Sequence, residues 1–459
     1  MFRRSFARSL VLLLGGALVA STGLVAATWS TPKAIGSSNL NFMYANNASM
    51  AASSHPLAQA VVVWAEPSNN AIRYAVRRDG VWVSGKTLAS ARASANEMVT
   101  DPQVVIDASG VATVVWASTK EGPMKYCSRG LVVYRCPEIL SYAKTATLAP
   151  GATVWTKADL SAKGYSVLDV QVGLDGAGNA VAAWSYRAAP GAVPVLQSAT
   201  RSAGGDWASP VDVTAVATLQ TPRLAVGTSG HASLVWQETV TTAPSLYALR
   251  SAERSPTGEG WVVEDVSLTT QAHRMWSLRT AIDPEGTTVA VWDDGSTLEL
   301  ARRVGGTWGA PTILAPAQSG GPELAVDEAG RVLVSWLEFG LGPDGSNLIE
   351  ARLFAPDGAP TASTWSVGTQ VAPSAALAAD GSGVLAWLDE TDFNIYAATL
   401  LPDGQWSPPQ VVSTGPALSR AAWGMRVAVS AAPGHQASAA WLSVAGLYGQ
   451  LKVFASSLP

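Results

Sequence analysis

Between Pro322 and Trp336 apolar residues fall on alternate positions: Leu324 and Val326, then Val332, Val334 and Trp336. A period of two predicts two short strands with one buried face. Asp327-Glu328-Ala329-Gly330 between them predicts a tight turn, with Gly330 free to take a positive φ. Variants of this unit recur along the chain. The Trp that closes the second strand stands at Trp64, Trp116, Trp184, Trp236, Trp292, Trp336, Trp387 and Trp441, spaced 44 to 68 residues apart. Six residues before it stands Gly110, Gly178, Gly230, Gly286, Gly330 or Gly381, and nine before it Asp107, Asp175, Asp283 or Asp327.

A third strand follows, marked by Tyr74-Ala75, Tyr142-Ala143, Tyr247-Ala248, Tyr396-Ala397 and Tyr448-Gly449. A fourth starts at another Trp: Trp82, Trp155, Trp207, Trp261, Trp308, Trp365 or Trp406. Each unit therefore predicts a four-stranded antiparallel meander, and repeats of this length and strand count are the mark of propeller blades. The last copy stops after its third strand. Trp29-Ser30-Thr31-Pro32 matches Trp406-Ser407-Pro408-Pro409, so the N-terminal strand is expected to complete the last sheet. The fold class expected is all-β, a single β-propeller over residues 28–459 with eight four-stranded blades. Seven blades is the alternative, because Ala51 to Gln59 lacks both the Gly and the Asp of the turn.

Residues 1–27 fit an export signal, with Arg3, Arg4 and Arg8, an apolar run from Leu10 to Val19, and Val25-Ala26-Ala27 as the cleavage site. The apolar run is too short for a spanning helix, so no stable membrane insertion is expected after cleavage, and the protein is expected in the periplasm or outside the cell. The whole chain carries 30 Lys+Arg against 34 Asp+Glu. Without the three signal arginines the balance is 27 − 34 = −7, which argues against nucleic acid as a partner. Cys127 and Cys136 are the two cysteines, and in an exported chain they predict a local disulfide rather than a metal site. No metal or other cofactor is expected.

The Asp-x-x-Gly turn, alternating apolar run and Trp together resemble exported bacterial β-propellers of the broad sialidase-like (BNR-type) and propeller-lectin kind, over essentially the whole mature chain. The resemblance implies a blade and no particular activity. The sialidase-type Asp box is only approached, at Arg78-Asp79-Gly80-Val81-Trp82 and Pro402-Asp403-Gly404-Gln405-Trp406.

The turns between first and second strands are nearly constant in length, whereas the second-to-third connections vary, and variable loops on a rigid scaffold are where binding usually resides. Trp116 to Ile139 holds the cysteine pair, Trp184 to Val195 holds Pro190 and Pro194, and Trp336 to Leu348 is Gly-rich. Thirteen residues before the repeat Trp stand Gln103, Gln171, Arg223, Arg279, Glu323 and Ser374, with Arg426 in the looser last copy. Two residues after it stand Glu66, Glu238, Asp294, Glu338 and Asp389. The channel mouth is therefore expected to carry arginines beside a partial ring of carboxylates, as a ligand site or as a structural charge network. Trp276 and Trp423 lie outside the repeat, each three residues before one of these arginines. An aromatic face next to a guanidinium suits a sugar, and inter-blade packing is the competing use.

The candidate ligand-binding set is thus Trp276, Arg279, Trp423, Arg426, Arg223, Glu238, Asp294 and Glu338. The function expected is non-enzymatic binding of a glycan or a cell-surface protein at the loop-rich face. One alternative is a sialidase-like glycoside hydrolase or lyase, with Arg223, Arg279 and Arg426 as its cluster and Tyr186 near Glu238 as its nucleophile. The other is a surface scaffold without a small ligand.

Overall fold

The turns form as their chemistry dictates. The Asp107 Oδ1 atom accepts from the backbone N–H groups of Ser109 and Val111, both at 2.9 Å. Asp175 does the same for Ala177 and Asn179, and Asp327 for Ala329 and Arg331. The carboxylate thereby satisfies the donors that a tight turn leaves over. The closing glycine then takes the left-handed conformation, with φ 82° at Gly110 and 77° at Gly330. At Gly330 it is this φ, rather than crowding, that disfavours a side chain.

In this computed structural model the described residues are 29–38, 50–55, 59–66, 70–91, 97–129, 132–216, 221–242, 245–257, 260–266, 277–294, 296–315, 319–341, 345–368, 373–389, 391–392, 394–413, 427–432, 436–444 and 451–458. All their regular structure is strand, apart from turns and bends. The strands form eight antiparallel sheets. Seven are continuous in sequence and follow the predicted meander. The first, for example, runs through Met50–His55, Gln59–Glu66, Ala71–Arg78 and Val81–Ser90. The fifth gains an extra short strand because its outer edge is split into Thr307–Trp308 and Thr312–Ala315.

The eighth sheet is composite. Val427–Ala432, Gln436–Val444 and Leu451–Leu458 are completed by Lys33–Ser38, which pairs antiparallel with Leu451–Leu458 from Lys33 opposite Ala455 to Ser38 opposite Leu451. Trp29 packs with Val412, Ala437 and Ala439 at the seventh and eighth sheets. The Lys33 ammonium donates to the Trp82 carbonyl of the first sheet at 2.6 Å. Closure by the N-terminal strand therefore holds, and an exposed sheet edge is removed.

The first strands of the sheets start at Met50, Met98, Ser166, Arg223, Ser277, Ser319, Ser374 and Val427. Each lies against the next, and the one at Val427 lies against the one at Met50. The sheets are thus arranged around an axis as a single all-β propeller.

The core sits between sheets rather than within them. Trp336 is fully buried among Val289, Val291 and Leu298 of the fifth sheet and Val334 of its own. Trp292 packs the same way on Val235 and Leu249 of the fourth sheet, Trp236 on Ala183 and Leu196 of the third, and Trp184 on Val115 of the second. The repeat Trp is thus the side chain each sheet pushes into the face of its predecessor. Its cross-strand neighbours are polar or long, as with Glu350 opposite Trp336 and Gln197 opposite Trp184.

Replacing Trp336 by Ala is expected to cost about 3–5 kcal/mol, read as a lower denaturant midpoint in equilibrium unfolding. A chain beginning after Ser38 leaves the strand Leu451–Leu458 without its outer neighbour. It is expected to unfold at lower temperature than the longer chain and to self-associate in light scattering.

Candidate functional site

Around the axis, first-strand side chains reach sideways to the next sheet. The Gln171 amide donates to the Pro222 carbonyl at 2.7 Å, and its Oε1 accepts from the Leu224 N–H at 2.8 Å. Arg223 Nε donates to the Leu278 carbonyl at 3.1 Å. Arg279 Nη2 and Nε donate to the two carboxylate oxygens of Glu323, at 2.8 and 3.3 Å. The ion pair raises the Arg279 pKa further above its ordinary value, against the opposing effect of burial. The positions thirteen residues before the Trp therefore stitch the third, fourth, fifth and sixth sheets together, which accounts structurally for Arg223 and Arg279.

The carboxylates two residues after the Trp are engaged within their own sheets. Glu66 is 2% exposed and pairs with Arg73 at 2.6 Å. Glu238 lies 2.9 Å from Arg250, which also pairs with Asp265. Asp294 caps a turn, accepting from the N–H groups of Ser296 and Thr297 at 2.8 and 2.7 Å. Burial alone pushes its pKa up, but these hydrogen bonds outweigh that and hold it below the ordinary carboxylate range. Glu338 accepts from the Trp336 indole at 3.1 Å. The expected joint ring of arginines and these carboxylates is thus corrected. Arg279 takes Glu323, and the second-strand carboxylates take neighbours in their own blades, because second strands lie one row out from the axis. Trp276, Trp423 and Arg426 lie outside the described residues.

Tyr186 and Glu238 do not form a nucleophile pair. The Tyr186 hydroxyl donates to the Lys163 carbonyl at 2.9 Å, and burial, with Asp212 nearby, raises its pKa. An activated phenol needs the opposite shift. His231 lies in a first-to-second turn, its Nδ1 3.0 Å from the Ser229 hydroxyl and its ring under Gly286. No group of three or more His, Cys, Asp or Glu among the described residues is placed to hold a metal ion.

Two axial residues escaped the sequence analysis. Asp101 and Asp169 occupy equivalent positions in the second and third sheets and take φ values of 52° and 53°. Each sits at a bulge in its first strand, where the register shifts between Thr100 and Gln103 and between Leu168 and Gln171. Gly321, φ 60°, fills the same place in the sixth sheet. Burial raises the Asp169 pKa to about 6; Arg223 pulls it down and Asp101 pushes it up. The visible signal was an Asp two residues before Gln103 and again before Gln171, since Asp tolerates the left-handed region that a bulge requires.

The second-to-third connection of the second sheet is not a loop. Ala112–Arg129 and Val132–Leu148 continue the pairing out to Arg129 opposite Val132, with a bulge between Glu121 and Met124. The expected variable loop is therefore an extended β ribbon, held by continuous cross-strand pairing. The Cys127–Cys136 disulfide spans this ribbon, as the sequence predicted.

No family model and no curated protein matches the chain. Among solved structures it is similar to a protein of unknown function from Dyadobacter fermentans, at 12% identity, over 95% of this chain and 100% of that one, with a TM-score of 0.47. It is also similar to the Penicillium chrysogenum α-L-arabinanase, at 12% identity over 72% and 99% of the two chains with a TM-score of 0.41. The Aleuria aurantia lectin, described as a six-bladed β-propeller, matches at 12% identity over 82% and 98% with a TM-score of 0.39.

Asp169 has a folded pKa above its unfolded value, so between about pH 4 and pH 6 the folded state holds more protons than the unfolded one. Its contribution therefore favours folding on the acid side of this window and is lost as pH rises through it. Asp169→Asn is expected to raise the melting temperature above pH 6 and to flatten its pH dependence from 4 to 7, measured by calorimetry. Arg279→Ala leaves Glu323 without its ion-pair partner and is expected to cost about 1–3 kcal/mol in chemical denaturation.

Proposed function

We propose that this chain is an exported, non-enzymatic propeller that binds a glycan at the face where second strands pass to third strands. The observation that carries the reading is the asymmetry of the two faces. On one, Asp-capped turns repeat with the same hydrogen bonds in the second, third and sixth sheets. On the other, the connections range from the ribbon of the second sheet to the short Asp294-capped turn of the fifth. A constant side maintains the ring and a varied side carries recognition. Trp276 with Arg279, and Trp423 with Arg426, are the proposed sugar contacts. Arg223, Glu238, Asp294 and Glu338 are committed to contacts within and between blades and hold the scaffold.

The ring is proposed to count eight blades rather than the alternative seven. The eight sheets and the contact between the first strands at Val427 and Met50 support this. Export through cleavage after residue 27 is proposed from the leader pattern; the disulfide is consistent with an oxidising compartment. No helix among the described residues is long and apolar enough to cross a membrane.

A glycoside hydrolase or lyase is the second reading, favoured by one observation. Asp101 and Asp169 stand on adjacent first strands, are coupled electrostatically to each other, and have Arg223 beside Asp169. A carboxyl group with a raised pKa beside a second carboxylate is a starting point for acid–base catalysis.

A glycan array read with the purified protein and with the Trp276→Ala/Trp423→Ala double variant tests the first reading. Binding that disappears in the double variant is expected, and undiminished binding rejects this platform. Reducing-end and unsaturated-product assays across a polysaccharide panel test the second. Turnover that is lost in Asp169→Asn replaces binding by catalysis as the function.

A further inference from the structure

The ribbon of the second sheet extends beyond the support of its neighbours. Its inner part is flanked by Met98–Ile106, whose pairing ends at Met98 opposite Thr119, and by Thr156–Asp159, which pairs with residues 144–147. From Lys120 outward it is two-stranded as far as Arg129 and Val132, roughly 30 Å of chain at the usual rise per residue. A two-stranded hairpin is marginal in water by itself. The Cys127–Cys136 disulfide cross-links it near the tip.

Between the strands at that point Tyr126 stands directly opposite Arg135, and the two cysteines are their immediate sequence neighbours. Tyr126 is 80% exposed; Met124 and Val133, on the same side of the ribbon, are 50% and 67% exposed. Arg135 is exposed too, and neither it nor Lys125 has a hydrogen bond or ion pair among the described residues. Protection of a free sheet edge accounts for Lys120, Lys125, Pro123 and Pro137. It does not account for a phenol ring held in water beside a guanidinium.

We propose that the stapled ribbon is a binding element for a carboxylated polysaccharide, with Tyr126 stacking on a sugar ring and Arg135 taking the neighbouring carboxylate. The proposal deepens the glycan reading above and rests on it. It assigns the contact to residues that the Trp276 and Trp423 proposal does not name.

Charge supports the choice of ligand. Residues 112–160 carry six Lys+Arg and three Asp+Glu, a balance of +3 within a chain whose total is −4. Further cations lie at the root of the ribbon on its opposite face, where Lys144 is paired with Asp159. Lys120 and Lys144 each stand over the Tyr142 ring, at 4.9 and 4.8 Å. Lys144 and Lys157 line a cleft of about 490 Å³ together with Trp116, Ser118 and Asp159. The guanidinium fork matches a carboxylate in two parallel hydrogen bonds, and the phenol face matches the apolar face of one pyranose. A stable protein partner buries on the order of 1,200 Å² or more, which three apolar side chains on so narrow a ribbon do not supply. The staple fixes the Tyr126–Arg135 pair before binding, so less freedom is lost when the sugar arrives.

Calorimetric titration of the full chain with polygalacturonate, dextran sulfate and neutral galactan tests this. Polygalacturonate is expected to bind with an affinity that falls as salt rises. Tyr126→Ala and Arg135→Gln are each expected to weaken it by about tenfold or more, Arg135→Lys restoring part of the loss. Unchanged melting temperatures in these variants show that folding is intact. Undiminished binding by Tyr126→Ala and Arg135→Gln overturns the ribbon assignment and leaves glycan binding standing. Binding of galactan alone, or of dextran sulfate as tightly as polygalacturonate, overturns the carboxylate assignment. A wild-type chain that binds none of the three, on the array or in the calorimeter, overturns this proposal and the glycan reading together.

Discussion

A four-stranded sheet with apolar residues on both faces cannot stay in water by itself, and the contact between neighbouring sheets resolves this. The second strand of each sheet is almost entirely buried, as in Val332–Glu338, where six of seven residues are buried. The repeat Trp projects from it into the preceding sheet. Trp336, Trp292, Trp236 and Trp184 fill the same place in successive interfaces. Stability is therefore distributed around the ring as a series of similar contacts. A ring of such contacts also needs its last sheet to meet its first, which is why the strand at Lys33 matters more than its length suggests. It completes the eighth sheet and reaches the first through the Trp82 carbonyl.

The demands of the ring also consume much of the polar chemistry near the axis. Gln171, Arg223 and Arg279 lie near the axis, and each is directed sideways to the next sheet. A polar side chain at such a narrow radius must find partners, and the adjacent backbone or carboxylate is closest. Asp101 and Asp169 differ in that their bulges turn the strand out of register. Asp169 is also half-buried, and burial raises its pKa.

The face that is not needed for closure is free to differ from blade to blade, and the second sheet uses that freedom most. Its ribbon leaves the shared core at Lys120, and the Cys127–Cys136 disulfide holds it near the tip. The scaffold below it is uniform, so a change in the ribbon does not propagate into the Trp interfaces. The ribbon and the Trp interfaces thus use different residues of one blade.

The repeated spacing of Asp, Gly and Trp was enough to read the strands, their meander order, the turn chemistry and the pairing of the two chain ends. Those features are local or periodic. An Asp-x-x-Gly turn needs only its own five residues, and Trp29 matched Trp406 because both start an outer strand. The partners of Arg223 and Arg279 were not legible, since Leu278 and Glu323 lie 55 and 44 residues further on and become neighbours only when the ring forms. Nor was the Asp169 environment, because burial depends on the bulge and on the adjacent sheets together. The cysteine-bearing connection read as a loop by its variable length, and only the continued cross-strand pairing made it a ribbon. Sequence by itself determined which residues build a blade; the tertiary structure decided which of the remaining side chains are used to hold blades together, because that depends on distances between segments far apart in the chain.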